Sequence, residues 1–427
     1  MITAEKWAEI IKDFHESELP KTIERNTDIP LDTPIKRAVS IIGPRRAGKT
    51  YEMYNLIGKI IKKSEKSRIV YVNFERPDIG IVNKEDLMTL LKTYYELYPE
   101  NKKSPIWLFL DEIQNVSGWE QFVRYCLDSG VKVYITGSSS RLLSKEVATS
   151  MRGRSLTYKI LPFSFNEYLR VKSIPYTNHP STYEKARIVN ALKDYLMNGG
   201  YPEAVLYEKE REKILSEIKD VAIYKDVIER SKIRNVTALK SLINALVQSR
   251  EFSINKFYNF LKSTGRKIGK NVLYAYIQYL EDAFFAFMLR KFSYSYKEAE
   301  QSIPKPYFVD NGLLAVSGIT DPARLLENLV FIELYRRNED IAYAKMITKE
   351  EVDFIVKKGN KVKQLIQVAY NLSTPETKER EIKALIKAGR ELKCGNLLII
   401  TFNEEGREKS KNKAINVVPA WKWLIER

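Results

Sequence analysis

Residues 41–50 read Ile41-Ile42-Gly43-Pro44-Arg45-Arg46-Ala47-Gly48-Lys49-Thr50, a glycine, four intervening residues and then Gly-Lys-Thr. The chemistry that needs those types at that spacing is the binding of a triphosphate. Gly43 and Gly48 let the backbone turn tightly, so successive N–H groups meet phosphate oxygens at the positive end of the helix that Lys49 begins. Lys49 reaches the β- and γ-phosphates as a mobile point charge, and the Thr50 hydroxyl is a hard oxygen ligand suited to Mg²⁺. Pro44, Arg45, Arg46 and Ala47 complete the loop and Tyr51 follows it, so all are expected beside the nucleotide. For Arg45 and Arg46 a solvated charge pair is the plainer alternative.

Three later stretches complete a candidate set. Phe109-Leu110-Asp111-Glu112 delivers two carboxylates at the end of an apolar strand, where ligands of open α/β sheets bind. Asp111 is expected to hold Mg²⁺ through water and Glu112 to polarise the attacking water as the base; a helix cap is the alternative. Thr136 and Gly137-Ser138-Ser139-Ser140 close the next strand, placing polar groups where a γ-phosphate is sensed, though Ser139 and Ser140 read better as a helix cap. Met151-Arg152-Gly153-Arg154 then brings Arg152 and Arg154, either of which stabilises transition-state charge in cis or from a neighbouring subunit; a surface arginine pair is the competing account.

The elements that must position these residues follow from apolar patterning. Residues 38–42, 68–73, 106–110, 131–136 and 156–161 read as strands, buried in a parallel sheet, and 51–61 and 87–97 as helices. Residues 1–18 carry Trp7, Ile10, Ile11 and Phe14 at helical spacing among charges, without the apolar core of a secretory leader. Residues 20–34 form a connector punctuated by proline and aspartate, expected to run past the nucleotide base. No apolar run is long enough to span a bilayer, so a cytoplasmic protein with no membrane partner is expected.

With one inserted strand between the loop strand and the acidic strand, then a sensor strand and a fifth, the chain resembles the archaeal ATPases related to the STAND and AAA-type groups. The resemblance rests on 41–50, Phe109-Leu110-Asp111-Glu112-Ile113-Gln114, Ile135-Thr136-Gly137-Ser138-Ser139, Gly153-Arg154 and Pro162-Phe163-Ser164-Phe165-Asn166-Glu167-Tyr168-Leu169. It implies ATP with Mg²⁺ as cofactors and slow hydrolysis that switches domain arrangement. It also implies a Gly-x-Pro lid over the base, matched by Gly200-Tyr201-Pro202; read from the residues alone, 198–202 is a helix terminator and turn. ATP is preferred to GTP only through this likeness. No Asn-Lys-x-Asp signature occurs.

The fold class expected is α/β: an additional-strand P-loop NTPase sheet in 1–165, a helical lid and winged-helix domain in 166–302, and a C-terminal α/β nuclease-like domain in 303–427. After a long amphipathic segment at 208–230, helices at 236–247, 254–261 and 270–280 and a wing at 284–291 resemble a winged helix. In the third helix Val272, Tyr276 and Leu280 turn inward and Asn271, Tyr274 and Gln278 outward, near Arg266, Lys267 and Lys270, a set suited to a DNA groove or, as an alternative, to a packing module. The last part resembles the PD-(D/E)XK nuclease fold. Glu327 and Asp353 match its acid positions, but the acid-x-lysine place reads Gln367-Val368-Ala369. A neutral amide and a missing lysine leave the fold without cleavage as the expectation. The tail Trp421-Lys422-Trp423-Leu424 is expected to close a core or an interface.

Seventy-one Lys and Arg against fifty-four acids give a formal charge of +17 over 427 residues. That excess suits DNA, while its spread along the chain fits plain solubility as well. Cys126 and Cys394 form no disulfide framework or zinc cluster, as in a reducing compartment. The functional expectation is an ATP-hydrolysing switch acting on or with DNA. The rivals are an ATP-coupled metal-dependent nuclease and a STAND-type scaffold that self-associates or binds a protein.

Overall fold

Every residue of β1 (Ala38–Ile42) is buried, as a parallel strand covered on both faces requires. Before it, α1 (Ala4–Glu16) starts on the Thr3 cap, and after it α2 (Lys49–Ile61) springs from the phosphate-type loop. The chain continues through β2 (Ile69–Asn73), α3 (Lys84–Leu97), β3 (Trp107–Asp111), α4 (Trp119–Asp128), β4 (Lys132–Gly137) and β5 (Ser155–Lys159). The strands form one sheet in the order β2-β3-β4-β1-β5, every neighbouring pair parallel. The computed structural model describes residues 2–33, 35–137, 151, 153–177, 179–346, 350–410 and 413–426. Contacts divide the chain into two units, Met1–Leu161 and Pro162–Arg427.

Alternation along the strands sorts side chains between two layers. Leu108 and Leu110 of β3 join Val70, Val72, Val133 and Ile135 under α1, α3 and α4, where Trp7, Leu87, Leu90 and Phe122 are buried. Phe109 points the other way, with Ile41, Met53, Ile57, Tyr71 and Tyr134, and stacks on Tyr134 at 4.6 Å. The connector before β1 lies over this second layer: Trp107 donates its indole N–H to the Leu31 carbonyl and Tyr134 its hydroxyl to the Pro30 carbonyl.

The second unit begins with α5 (Phe165–Val171) and α6 (Thr182–Asn198), each opened by a Ser–Glu capping box. Then come α7 (Pro202–Leu206) and α8 (Arg211–Val221), which runs into a π-helical stretch, Ala222–Glu229. Three helices follow, α9 (Val236–Gln248), α10 (Ile254–Ser263) and α11 (Lys270–Asp282). On α11 Leu273, Tyr276, Ile277 and Leu280 are buried and Asn271, Tyr274 and Gln278 exposed, while Val272, expected inward, is exposed. The wing-like strand is β6 (Ala286–Leu289), and its antiparallel partner is β7 (Lys305–Phe308). The pair therefore spans the 302/303 boundary drawn from sequence.

Beyond β7, α12 (Pro322–Arg336) precedes a six-stranded mixed sheet in the order β8-β9-β10-β11-β13-β12. Its strands are β8 (Asp340–Lys345), β9 (Glu351–Lys358), β10 (Lys361–Ala369), β11 (Leu397–Thr401), β12 (Gly406–Ser410) and β13 (Lys413–Pro419), with α13 (Pro375–Glu391) between β10 and β11. Trp421, Trp423 and Leu424 are buried in a closing helix, Ala420–Ile425.

One carboxylate ties α6 to the segment after β7. Buried Asp310 accepts from the Gly200 and Gly312 backbone N–H groups, both at 2.8 Å, and burial pushes its carboxyl up to about 7. Gly199 holds φ +74°, and a Cβ there would stand 1.8 Å from the Asp310 carboxylate. Gly199→Ala is therefore expected to destabilise the second unit by about 3 kcal/mol through strain and the broken clip, read as a lowered unfolding transition in calorimetry.

Candidate nucleotide site

The loop between β1 and α2 is fixed by backbone approach that only glycine allows. At Gly43, φ is +153°, and a Cβ would lie 1.8 Å from the Ile160 carbonyl oxygen. Gly48, at φ 95°, caps α2 in the left-handed region. Arg25, in the connector, clamps the loop from outside: its guanidinium donates to the Ala47 carbonyl at 2.9 Å and the Leu161 carbonyl at 2.5 Å. Lys49 is buried, its ammonium 3.2 Å from the Gly43 carbonyl oxygen, 3.1 Å from that of Pro44 and 3.7 Å from the Glu112 carboxylate. Ala47 is fully buried. Arg45 pairs with Glu75 at 3.2 Å and Arg46 holds φ 60°. Tyr51 is exposed, edge-on to Tyr54.

Parallel register brings the acids to this loop. Asn73 of β2 pairs with Asp111 of β3, and Leu110 with Ile135 of β4, so three strands end at one edge. Asp111 is wholly buried and accepts from the Thr50 hydroxyl at 2.8 Å, the Tyr71 hydroxyl at 3.0 Å and the Thr136 hydroxyl. Thr136 also accepts the Glu112 backbone N–H at 2.8 Å. Burial raises the Asp111 carboxyl above the ordinary range, the Thr136 bond opposes that shift, and Glu112 adds to it. Burial, then the Asp111 charge, push the Tyr71 phenol far upward, so it stays a donor. Thr50 and Asp111 thus offer hard oxygens side by side, a donor set that fits Mg²⁺.

Glu112 adopts the left-handed region at φ 54°, unusual for a residue with a side chain. Its carboxylate accepts from the Gln114 amide. Glu112, Lys49, Thr50, Asp111 and Thr136 are therefore gathered in one place. The sequence alone gives no role to Tyr71, Gln114 or Arg25. The inward phase of β2 identifies Tyr71 in principle, whereas nothing local singles out Arg25.

One candidate of the first unit stands away from this cluster. Arg154 lies at the entering edge of β5, where its carbonyl oxygen accepts the Ala38 N–H, and its guanidinium pairs with Asp128 at 2.6 Å. The loop leaves the opposite edge, a strand length of about 16 Å away. The expectation that Arg154 acts in cis fails on that ground. Pro202 belongs to the second unit, where it opens α7. Arg152 and Ser138, Ser139 and Ser140 lie outside the described residues.

In the second unit Glu327 of α12 and Asp353 of β9 do come together, but around a lysine. The buried Lys305 ammonium of β7 is 3.1 Å from Glu327, 2.6 Å from Glu351 and 3.4 Å from Asp353. Gln367 donates its amide to Glu381 at 2.5 Å, and Ala369 is buried.

Comparison with known proteins agrees with the first unit. The family described as "AAA domain" matches residues 35–169, and a "Domain of unknown function (DUF8612)" matches 189–323. The chain is 42% identical to "Uncharacterized protein MJ1544" of Methanocaldococcus jannaschii, over 97% of this chain and 94% of that protein. It is 30% identical to an "Uncharacterized protein" of Haemophilus influenzae, over 92% and 95%. Among solved structures, the Walker-type ATPase PABY2304 of Pyrococcus abyssi has a TM-score of 0.44 at 14% identity, covering 75% of this chain and 96% of that one. The Aeropyrum pernix ORC1 protein in complex with DNA has a TM-score of 0.34 at 13% identity, covering 76% and 93%. Among the described residues, no helix is long and apolar enough to cross a membrane.

Thr136→Val removes one donor to Asp111 and the acceptor of the Glu112 N–H. It is expected to cost the first unit about 1–3 kcal/mol of unfolding free energy, with Thr136→Ser restoring most of it, in denaturant titrations of both variants.

Proposed function

The chain belongs to one family with the Methanocaldococcus jannaschii and Haemophilus influenzae proteins and carries an AAA-type ATPase domain, and from that premise we propose an ATP- and Mg²⁺-dependent molecular switch that works on DNA. The observation that carries the reading is the convergence of Lys49, Thr50, Asp111 and Glu112 at one sheet edge. The loop N–H groups and the start of α2 receive the phosphates. Lys49 exchanges its loop carbonyls for β- and γ-oxygens, and Thr50 and Asp111 would hold a Mg²⁺ that would supply the remaining positive charge against the phosphates. Glu112, released from Gln114, accepts a proton from the attacking water. Tyr71 and Thr136 hold Asp111 in the rotamer that faces Thr50.

The DNA half rests on charge and on α11. A +17 chain is drawn to a polyanion, and α11 exposes Asn271, Tyr274 and Gln278 after the basic Arg266, Lys267 and Lys270. These polar and aromatic groups suit base edges, the cations suit phosphates.

Lys49→Ala is expected to abolish MgATP binding, measured by calorimetric titration. Glu112→Gln is expected to keep binding and to slow phosphate release by about 10²- to 10³-fold. Retained hydrolysis in Lys49→Ala overturns the assignment of the reaction to this loop. Duplex DNA is expected to stimulate phosphate release and to be retained with an affinity that falls steeply and linearly on a logarithmic salt axis; no retention at low salt, with an unchanged rate, removes the DNA half.

A further inference from the structure

The nuclease-like resemblance of the last part implies a divalent metal between Glu327 and Asp353, and the residues present do not fit one. The point on which the acids converge is taken. Lys305 arrives from β7, outside the six-stranded sheet, and is 5% exposed. Its ammonium bonds Glu327, Glu351 and Asp353 at once. Further donors surround the acids. The Glu327 oxygen that meets Lys305 also accepts the Tyr307 hydroxyl at 2.6 Å, and its other oxygen faces Arg250 at 4.0 Å. The second Asp353 oxygen accepts the Val368 N–H at 2.9 Å. Gln367 turns its carbonyl toward the Asp353 N–H and its amide to Glu381, which also pairs with Arg380 at 2.6 Å. Among the described residues no three His, Cys, Asp or Glu side chains are set to hold a metal ion.

We propose that Lys305 is the resident cation of this pocket, a covalently attached substitute that neutralises Glu327, Glu351 and Asp353 and closes the site to divalent metals. An ammonium can replace a metal as a charge because its three N–H donors reach three carboxylates at 2.6–3.4 Å. It cannot replace a metal as chemistry, because it has no open coordination position and activates no water. The substitution explains why Ala369 is tolerated where the resemblance expects lysine: the positive charge comes from another strand. It also makes Lys305 a clamp joining β7, α12 and β9.

The test is Mn²⁺ binding to the full-length chain without nucleotide, followed by electron paramagnetic resonance, in native protein, Asp353→Asn, Lys305→Ala and the double variant. Native protein and Asp353→Asn are expected to bind Mn²⁺ alike, any shared binding belonging to the first unit. Lys305→Ala is expected to gain a site, raising Mn²⁺ affinity by about tenfold or more, and to lose it again in the double variant. If Lys305→Ala unfolds in chelator, added Mn²⁺ is expected to restore its folded circular dichroism. Native Mn²⁺ binding that Asp353→Asn abolishes overturns the proposal. So does a folded Lys305→Ala without an Asp353-dependent site, or an unfolded one that Mn²⁺ does not rescue.

Discussion

A carboxylate taken wholly out of water must be met by donors from the protein, and at Asp111 three hydroxyls from three elements supply them. Thr50 comes from α2, Tyr71 from β2 and Thr136 from β4. This works only if the three strands finish in step. A slip of one residue in β3 would turn Asp111 to the opposite face and bury Leu110 among the hydroxyls. The placement of the glycine-rich loop, the acid pair and Thr136 is thus a consequence of one register, and the alternation that packs Leu108 and Phe109 on opposite faces enforces it.

The two units solve the same electrostatic problem in opposite ways. In the first, neutral hydroxyls satisfy a carboxylate without cancelling its charge, which leaves an appetite for a cation next to Thr50. In the second, three acids close on an ammonium that the chain itself provides. Hydroxyl donors leave a carboxylate's charge in place. A buried lysine cancels it.

Much of the first unit was legible because its signals are local. Gly43, Gly48, Lys49 and Thr50 are adjacent in sequence, and strand ends announced Asp111, Glu112 and Thr136. Arg25 was illegible, since nothing in a polar connector says that a guanidinium will reach Ala47 and Leu161. Arg154 shows that proximity in sequence to a site strand does not say which edge of the sheet a residue occupies. Lys305 is the sharpest case: the missing charge at Ala369 was visible, but its replacement lies on β7, far back along the chain. Local pattern reports which chemistry is present; convergence across distant segments decides where it is spent.

The ladder between β6 and β7 bears on how such chains can be recombined. A helical module and a sheet module that share a two-stranded ribbon cannot be exchanged as cassettes at 302/303, because each fragment would keep one strand with its hydrogen-bonding edge bare. Lys305 sits on that ribbon as well, on the same side of the cut as its three acids, so the cut would unpair the strand that positions their counterion. Grafting one such tail onto another head would have to join at Leu161 and Pro162, carrying everything downstream as one inheritance.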